Sequence, residues 1–289
     1  MKKISICIPV LNEEKNILNA YNEIVKVFNE KIKNYDYELI FTDNHSNDGT
    51  ENILLDLSKK DKKVKYIRFR NNLEYDKSIL EAYKHSTGDA AIVIDCDLQD
   101  PPDLFINFIK KWEEEYDVVY GIVKSRKENL LVNFLRRVFY LIMSLNAEFN
   151  YPLNAHDFRL VDRKVINGFR DNSNLFPYVR GMTFALATNP TGIEYDRENR
   201  KEGKSKLGIY NSFTYAINAL LEETFFFTKI FRRISLILTS TGFFFSIINF
   251  FLGFKFLEFY KNLSIILMIS IFVLLVIICE YVTRIYFQL

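Results

Sequence analysis

The chain of 289 residues is long enough for one large α/β domain with a membrane module, or for two small domains. Its 38 Lys and Arg residues nearly balance its 36 Asp and Glu residues, which leaves a formal net charge of +2. This small charge argues against a protein that coats polyanions, so we expect no nucleic acid partner. Three cysteines, Cys7, Cys96 and Cys279, are too scattered for a disulfide framework and indicate reduced thiols.

Short β-rich runs alternate with amphipathic stretches through the first 121 residues. The predicted strands are residues 4–9, 38–42, 64–68, 90–95 and 117–121, and the predicted helices are residues 15–28, 50–58, 78–85 and 102–115. This alternation predicts an α/β fold with a mostly parallel sheet, in which ligands bind at the carboxyl ends of the strands. Residues 130–146 predict a further amphipathic helix, and residues 157–161 a return to the sheet.

The last third of the chain carries its long apolar runs. Residues 190–208 form a polar stretch rich in Gly, Arg and Lys, and residues 210–227 are apolar on one side, as in a helix at a membrane surface. Residues 234–254 then contain no charge over a length of about 31 Å as a helix, and residues 263–279 form a second uncharged run. The two runs predict a transmembrane hairpin, and the alternative is a buried hairpin in a soluble core.

Charged residues beside the two predicted spans indicate their orientation. Three basic residues precede the first span and one follows the second, whereas two lysines in the connecting loop are offset by one glutamate. These residues are Lys229, Arg232 and Arg233, then Arg284, then Lys255, Lys261 and Glu258. Because cytoplasmic flanks carry the excess of Lys and Arg, we expect a multi-pass protein of the cytoplasmic (inner) membrane with the large domain and both termini in the cytoplasm.

The strongest chemical signal is the string DCDLQDPP at residues 95–102, which ends an apolar strand. If the strand continues, its alternation places Asp95 and Asp97 on the same side. Two such carboxylates repel each other unless a cation joins them, and hard oxygen ligands favour Mg²⁺ or Mn²⁺ with open positions for phosphates. Gln99 can add a neutral oxygen ligand. The string predicts a divalent metal site, and the alternative is a solvated strand end.

The turn DNHSNDGT at residues 43–50 closes the second strand and opens a helix. Asn47 or Asp48, together with Gly49, would suffice for a plain turn with a helix N-cap. Asp43 requires more, since a carboxylate at a strand end near other acidic residues needs a ligand or a partner. We expect Asp43 to accept hydrogen bonds from a base or a ribose.

Together with the sequence PVLNEE at residues 9–14, these two motifs resemble glycosyltransferase family 2, which has the GT-A fold. HDFRL at residues 156–160, Arg180-Gly181 and the basic residues within 197–206 are similar to the branch of the family that acts on polyprenyl phosphates. The likeness covers nearly the whole chain. It implies a GT-A catalytic domain at residues 1–209, a juxtamembrane interfacial helix at 210–233 and a two-helix transmembrane hairpin at 234–289.

The resemblance also implies roles for individual residues. The donor nucleotide would contact Pro9, Asn12, Glu14, Asp43 and Asp95; the metal and the donor diphosphate would be held by Asp95, Asp97 and Gln99. Asp157 would lie at the reacting centre, with Asp97 as a second catalytic residue. Phosphates would be bound by Arg126, Arg136, Arg200, Ser205 and Lys206. The chain departs from the family pattern at Asn44, at His45, at His156 and at residues 70–73, all near the implied donor site.

The implied function is metal-dependent, inverting transfer of a sugar from a nucleotide-sugar, a UDP-sugar, to undecaprenyl phosphate at the lipid bilayer, for modification of cell-surface glycans. Because a phosphate monoester is already largely dianionic at neutral pH, we expect Asp157 to orient the acceptor or to stabilise positive charge on the sugar rather than to act as a strong base. The alternatives are a glycan-extending synthase of the same family and a non-catalytic, membrane-tethered nucleotide-sugar-binding protein. The sequence leaves the donor sugar and the oligomeric state open, a homo-oligomer included.

Overall fold

The computed structural model describes residues 1–124, 130–146, 152, 155–169, 177–198 and 256–288, with a few single residues and pairs between 216 and 244. The strands within these ranges are β1 (Lys3–Val10), β2 (Asp36–Asp43), β3 (Val64–Arg68), β4 (Ala90–Val93), β5 (Val118–Val123), β6 (Ala155–Asp162) and β7 (Pro190–Tyr195). The helices are α1 (Ile17–Lys31), α2 (Thr50–Lys60), α3 (Tyr75–His85), α4 (Phe105–Glu113), α5 (Leu130–Asn146), α6 (Arg163–Asn167), α7 (Val179–Leu186) and α8 (Phe256–Gln288), and a 3-10 turn (Pro102–Leu104) precedes α4.

The seven strands form one mixed sheet in the order β3-β2-β1-β4-β6-β5-β7. Of these strands, only β6 runs antiparallel to its neighbours, β4 and β5. The carboxyl ends of the other six strands and the amino end of β6 therefore lie along one edge, which we call the carboxyl edge. The predicted α/β fold is confirmed, and the segment predicted to return to the sheet is β6.

Helices cover both faces of the sheet, so its central strands are buried on both sides. Residues 4–10 of β1 are all buried, as expected of a strand enclosed on both sides. Ile6 packs in the core on the face covered by α1, α2 and α4, whereas its neighbour Cys7 packs on the face covered by α3, α6 and α7. The site at the carboxyl edge thus rests on a sheet held rigid from two sides.

Across the part of the chain that the structure describes, no helix has both the length and the apolar character needed to cross a membrane. The predicted interfacial segment (210–233) and the first predicted span (234–254) lie for the most part outside the described residues. The second predicted span (263–279) falls within α8, whose side chains are described only in part. The membrane arrangement therefore stays a prediction.

A buried carboxylate fastens the opposite, amino edge of the sheet. Glu38 on β2 is 2% exposed and accepts hydrogen bonds from the Ser5 hydroxyl at 2.6 Å and the Thr87 N–H at 2.7 Å. Lys3 and Lys65 lie 3.0 and 2.7 Å from its second oxygen. Burial alone would raise the pKa of Glu38, but the bonds from Lys65, Ser5 and the other donors outweigh it and lower the pKa to about 2.

We expect Glu38→Gln to destabilise the protein by about 2 kcal/mol, because buried hydrogen bonds to a charged group are lost. Asp36→Asn on the same strand is the matched control: its ion pair with Lys63 is 42% exposed on both sides, so the change should cost less than about 1 kcal/mol. Unfolding midpoints in urea measure both effects.

The contribution of Glu38 also has a defined pH dependence. Its folded pKa lies below its ordinary value of 4.5, so the stabilisation is complete above that value and is lost as the pH falls towards 2. The difference between wild type and Glu38→Gln should shrink over the same interval. Equal effects of Glu38→Gln and Asp36→Asn would contradict this account.

Candidate active site

Polar side chains from several loops meet at the carboxyl edge. β1, β2 and β4 end there, and β6 begins there because it runs antiparallel to β4. Val93 pairs with Arg159, so the residues after β4 face those at the start of β6. The sequence-predicted residues at this edge are Pro9, Asn12, Glu14, Asp43, Asp95, Asp97, Gln99 and Asp157.

The loops after β1 and β2 interlock through hydrogen bonds. The Asn12 N–H donates to the Ser46 hydroxyl at 2.8 Å, and Asn12 Oδ1 accepts from the Asn47 N–H at 2.7 Å. The Glu14 carboxylate accepts from the Gly49 N–H at 2.8 Å, at the amino end of α2, where a negative charge is favourable. Asn12 and Glu14 therefore shape the turn after β2, and their predicted contacts with the nucleotide stay predictions.

Asp43 has its partners inside the protein. Its side chain is fully buried; Oδ1 accepts from the Ser46 N–H at 2.9 Å and Oδ2 from the Tyr66 hydroxyl at 3.0 Å. Arg68 Nη1 lies 3.5 Å from Oδ2. The partner that the position of Asp43 demands is thus supplied by the turn and by β3, and its predicted contact with the donor, like that of Pro9, stays a prediction.

The chain after β4 turns earlier than predicted. The predicted strand reached residue 95, but β4 ends at Val93, and Leu98 adopts a left-handed backbone with φ of 52°. The register of pairing with both neighbours ends at Val93, and after the bond from the Ile94 N–H to the Cys7 carbonyl at 3.1 Å the chain leaves the sheet. The strand does not continue through Asp95 and Asp97, so the condition under which alternation would place them on the same side is not met. A turn groups these residues instead, in which Asp97 Oδ1 accepts from the Gln99 N–H at 3.2 Å.

Asp95 and Asp100 form the crowded centre of this turn. Asp95 Oδ1 accepts from the Tyr75 hydroxyl at 2.7 Å, and Oδ2 lies 3.4 Å from Arg197 Nη2. Asp100 is fully buried, accepts a hydrogen bond from Tyr195 and lies 3.0 Å from Arg197 Nε. Burial, followed by the charges of Asp100 and Asp97, raises the pKa of Asp95 to about 7. Burial also raises the pKa of Asp100.

The donor atoms of this turn fit a divalent cation that is shared with a substrate. Among the described residues, no group of three or more His, Cys, Asp or Glu side chains could hold a metal ion by itself. Mg²⁺ commonly binds through one or two carboxylates together with substrate phosphates, which Asp95 and Asp97 can match. Their mutual repulsion is what a cation would relieve. The Gln99 amide donates to the Glu198 carbonyl at 3.1 Å, which orients the Gln99 side chain.

Asp157, at the start of β6, forms ion pairs with two arginines. Arg180 of α7 grips both oxygens, with Nε 3.0 Å from Oδ1 and Nη2 bonded to Oδ2. Arg159 Nη1 lies 3.4 Å from Oδ1. Burial alone would raise the pKa of Asp157, but Arg180 and Arg159 hold it well below its usual value. Asp157 is therefore an ionised, weak base, which suits the expected orienting or charge-stabilising role.

Most of the predicted phosphate-binding residues lie outside the residues that the structure describes. Arg126, Arg200, Ser205 and Lys206 are outside the described residues, and Arg136 is a residue of α5 whose side chain is not among them. Their role stays a prediction.

Several residues of the site were not predicted individually, among them Arg159, which stood within HDFRL at residues 156–160. Asp100 stood within the string at 95–102, and Arg180 and Arg197 stood within stretches that carry the family resemblance, so those motifs contained a signal. No sequence signal pointed to Tyr75. The pattern predicted that its helix begins at residue 78, whereas α3 begins at Tyr75.

Residues 5–169 match the model of Glycosyl transferase family 2. The chain belongs to this family. Uncharacterized glycosyltransferase YkcC of Bacillus subtilis (strain 168) is 32% identical over 98% of this chain and 89% of its own length. The prophage bactoprenol glucosyl transferase homolog of Escherichia coli (strain K12) is 30% identical over 83% of this chain and 78% of its own length. The chain is therefore a glycosyltransferase enzyme.

Solved structures show the same fold. Glucosyl-3-phosphoglycerate synthase from Mycobacterium tuberculosis, in complex with Mn²⁺, UDP and phosphoglyceric acid, covers 76% of each chain with a TM-score of 0.52 at 15% identity. Mannosyl-3-phosphoglycerate synthase from Rubrobacter xylanophilus covers 80% of this chain and 74% of its own, with a TM-score of 0.52 at 12% identity. At these identities the likeness establishes the GT-A-like mixed sheet and nothing about the substrate.

We expect Arg180→Met to lower stability by about 2 kcal/mol, because Asp157 loses its two bonds from Arg180 and keeps only the longer contact with Arg159 at 3.4 Å and the charge of His156. Asp157→Asn leaves Arg180 and the fully buried Arg159 without their carboxylate, so it should destabilise the protein at least as much and abolish sugar transfer. In the Asp157→Asn background, Arg180→Met should cost little further stability, because the ion pair is already lost and one of two like charges is removed. Thermal melting and initial transfer rates of the three proteins separate the two effects. An equal cost of Arg180→Met in the wild-type and Asp157→Asn backgrounds would contradict the assignment of Arg180 as the main counter-ion of Asp157.

Proposed function

We propose that this glycosyltransferase moves a sugar from a nucleotide-sugar, a UDP-sugar, to polyprenyl phosphate, with inversion at the anomeric carbon. The observation that carries the proposal is the extent of the likeness to bactoprenol glucosyl transferases. The protein of that name from Shigella phage SfX is 30% identical over 244 residues, 83% of this chain, well beyond the family match at residues 5–169. The likeness thus includes sequence outside the donor-binding domain.

The residues at the carboxyl edge suit the donor. Asp95 and Asp97, with Gln99 beside them, would hold Mg²⁺ or Mn²⁺, which when bound neutralises charge on the departing nucleoside diphosphate. The Arg197 guanidinium lies next to Asp95 and Asp100. When the donor binds, the same side chain can move to contact the diphosphate. The interlocked turns of Asn12 and Asp43 would receive the nucleoside.

Asp157 suits the acceptor side of the reaction. A phosphate monoester is already largely dianionic at neutral pH and needs no strong base. Since Arg180 and Arg159 keep Asp157 ionised, its charge can orient the acceptor or stabilise positive charge on the sugar. A direct in-line attack by the acceptor phosphate inverts the anomeric configuration.

The apolar segments of the last third suit a lipid acceptor. A phosphate on a polyprenyl chain stays near the headgroups, so the site must lie close to the bilayer. We propose that residues 210–233 lie at the membrane surface and that residues 234–289 span the cytoplasmic membrane as a hairpin, with the catalytic domain and both termini in the cytoplasm. The basic residues before the first span support this orientation.

The direct test incubates the full chain with labelled UDP- and GDP-sugars and undecaprenyl phosphate. We expect a sugar–lipid product whose formation stops with EDTA and returns with Mg²⁺ or Mn²⁺. Asp95→Asn should lower the rate at least about 100-fold through loss of electrostatic stabilisation. Asp103→Asn is the matched control, because this carboxylate is 60% exposed and pairs with Lys31 away from the site.

Other outcomes of that assay identify the rivals. A sugar polymer would show a glycan-extending synthase, and donor binding without turnover would show a binding protein. A transfer rate that EDTA does not change would contradict the proposed requirement for a divalent metal.

A second test concerns Asp157. We expect Asp157→Asn to be inactive from about pH 6 to pH 9 while it still binds the donor, because the charge and not proton transfer is needed. Recovery of the rate at high pH would indicate a base. Determination of the product's anomeric configuration by NMR checks inversion, which a retained configuration would refute.

A further inference from the structure

Tyr75 connects α3 to the carboxylate turn. Its hydroxyl donates to Asp95 Oδ1 at 2.7 Å, so one oxygen of this carboxylate is engaged from the α3 side while Oδ2 faces Arg197. A tyrosine hydroxyl has an ordinary pKa of about 10, so it carries its proton at neutral pH. The hydroxyl therefore stays protonated and remains a hydrogen-bond donor.

The residue before Tyr75 has a strained backbone. Glu74 has φ of 69° and ψ of 169°, a region that is essentially restricted to glycine. A non-glycine residue persists there only when its surroundings hold it, and such strain concentrates at functional positions. The Glu74 side chain is itself exposed, so we take the strained backbone to serve the placement of the next residue.

Three hydrogen bonds hold the backbone around Glu74 and Tyr75 in place. Asn44, in the turn after β2, accepts from the Leu73 N–H at 2.6 Å, and Asn72 accepts from the Glu74 N–H at 3.0 Å. In the first turn of α3, the Asp76 carboxylate accepts from the Val179 N–H at 3.0 Å. The position of Tyr75 is therefore determined jointly by the turn after β2, its own loop and α7.

We propose that Tyr75 is a positioning residue for donor binding: its hydroxyl holds Asp95 Oδ1 so that Oδ2 is presented to the metal and the donor diphosphate. This inference rests on the proposed function, which assigns Asp95 to the donor. The two contacts of Asp95 then differ in kind. Arg197 on Oδ2 must give way to the metal, whereas Tyr75 on Oδ1 keeps its bond and fixes the orientation of the carboxylate.

The test measures Mn²⁺ affinity in the presence of UDP, by the EPR signal of free Mn²⁺, on the detergent-solubilised full chain. Partners that orient a metal ligand typically contribute about 10- to 100-fold in affinity, so we expect Tyr75→Phe to weaken Mn²⁺ binding by that factor. The KM for the donor should rise while kcat at saturation is largely kept, and the melting temperature should not change.

Two further variants serve as controls. Tyr21→Phe removes a tyrosine hydroxyl that also donates to a carboxylate, that of Asp61 at 2.9 Å, but away from the carboxyl edge. Glu74→Gly keeps the turn, because glycine adopts this backbone without strain. Both should bind Mn²⁺ as the wild type does.

Unchanged Mn²⁺ affinity in Tyr75→Phe would overturn the inference, as would a loss of affinity in Glu74→Gly alone or a fall in melting temperature that accounts for the effect. A wild-type chain that binds no Mn²⁺ with UDP would also overturn it. If the wild type binds Mn²⁺ and Tyr75→Phe binds it more weakly, but polyprenyl phosphate receives no sugar, the inference stands and the proposed acceptor fails.

Discussion

Repulsion between carboxylates crowded into one turn is the interaction on which the site depends. Asp95, Asp97 and Asp100 lie in one stretch of six residues after β4, and Asp100 is fully buried. Such a cluster is tolerated only when positive charge and hydrogen-bond donors reach it from elsewhere in the fold. Arg197 comes from the segment after β7 and Tyr75 from α3, so the turn after β4 connects these two parts of the fold.

The antiparallel strand β6 adds a second carboxylate with the opposite electrostatics. Asp157 faces the turn after β4, but Arg159 on its own strand and Arg180 on α7 hold its pKa low, whereas the pKa of Asp95 is raised to about 7. The surroundings thus give two carboxylates at one edge very different pKa values, a pattern that is typical of residues with different chemical roles. Asp157 has counter-ions on packed elements, and Asp95 has a counter-ion that a cation can replace.

The sequence predicted the alternating elements well, because a strand buried on both faces is apolar throughout and a helix between such strands is amphipathic. Its motifs also pointed to the carboxylate string and to Asp157, which the structure places at the carboxyl edge. Where prediction failed, the cause was not local. β4 ends at Val93 because its pairing with β1 and β6 ends there, and α3 begins at Tyr75 because Asn44 and α7 hold a turn that propensity alone disfavours.

The sequence by itself therefore determined the α/β class, the family resemblance and the residue types available for metal and phosphate chemistry. Tertiary structure alone decided how Asp95, Asp97 and Asp100 are grouped and which partners neutralise each of them. The reason is that periodicity and motifs record contacts close along the chain. The contacts of Asp95 and Asp157 with Tyr75, Arg197 and Arg180 join residues 20, 102 and 23 positions apart, and only the folded sheet brings these together.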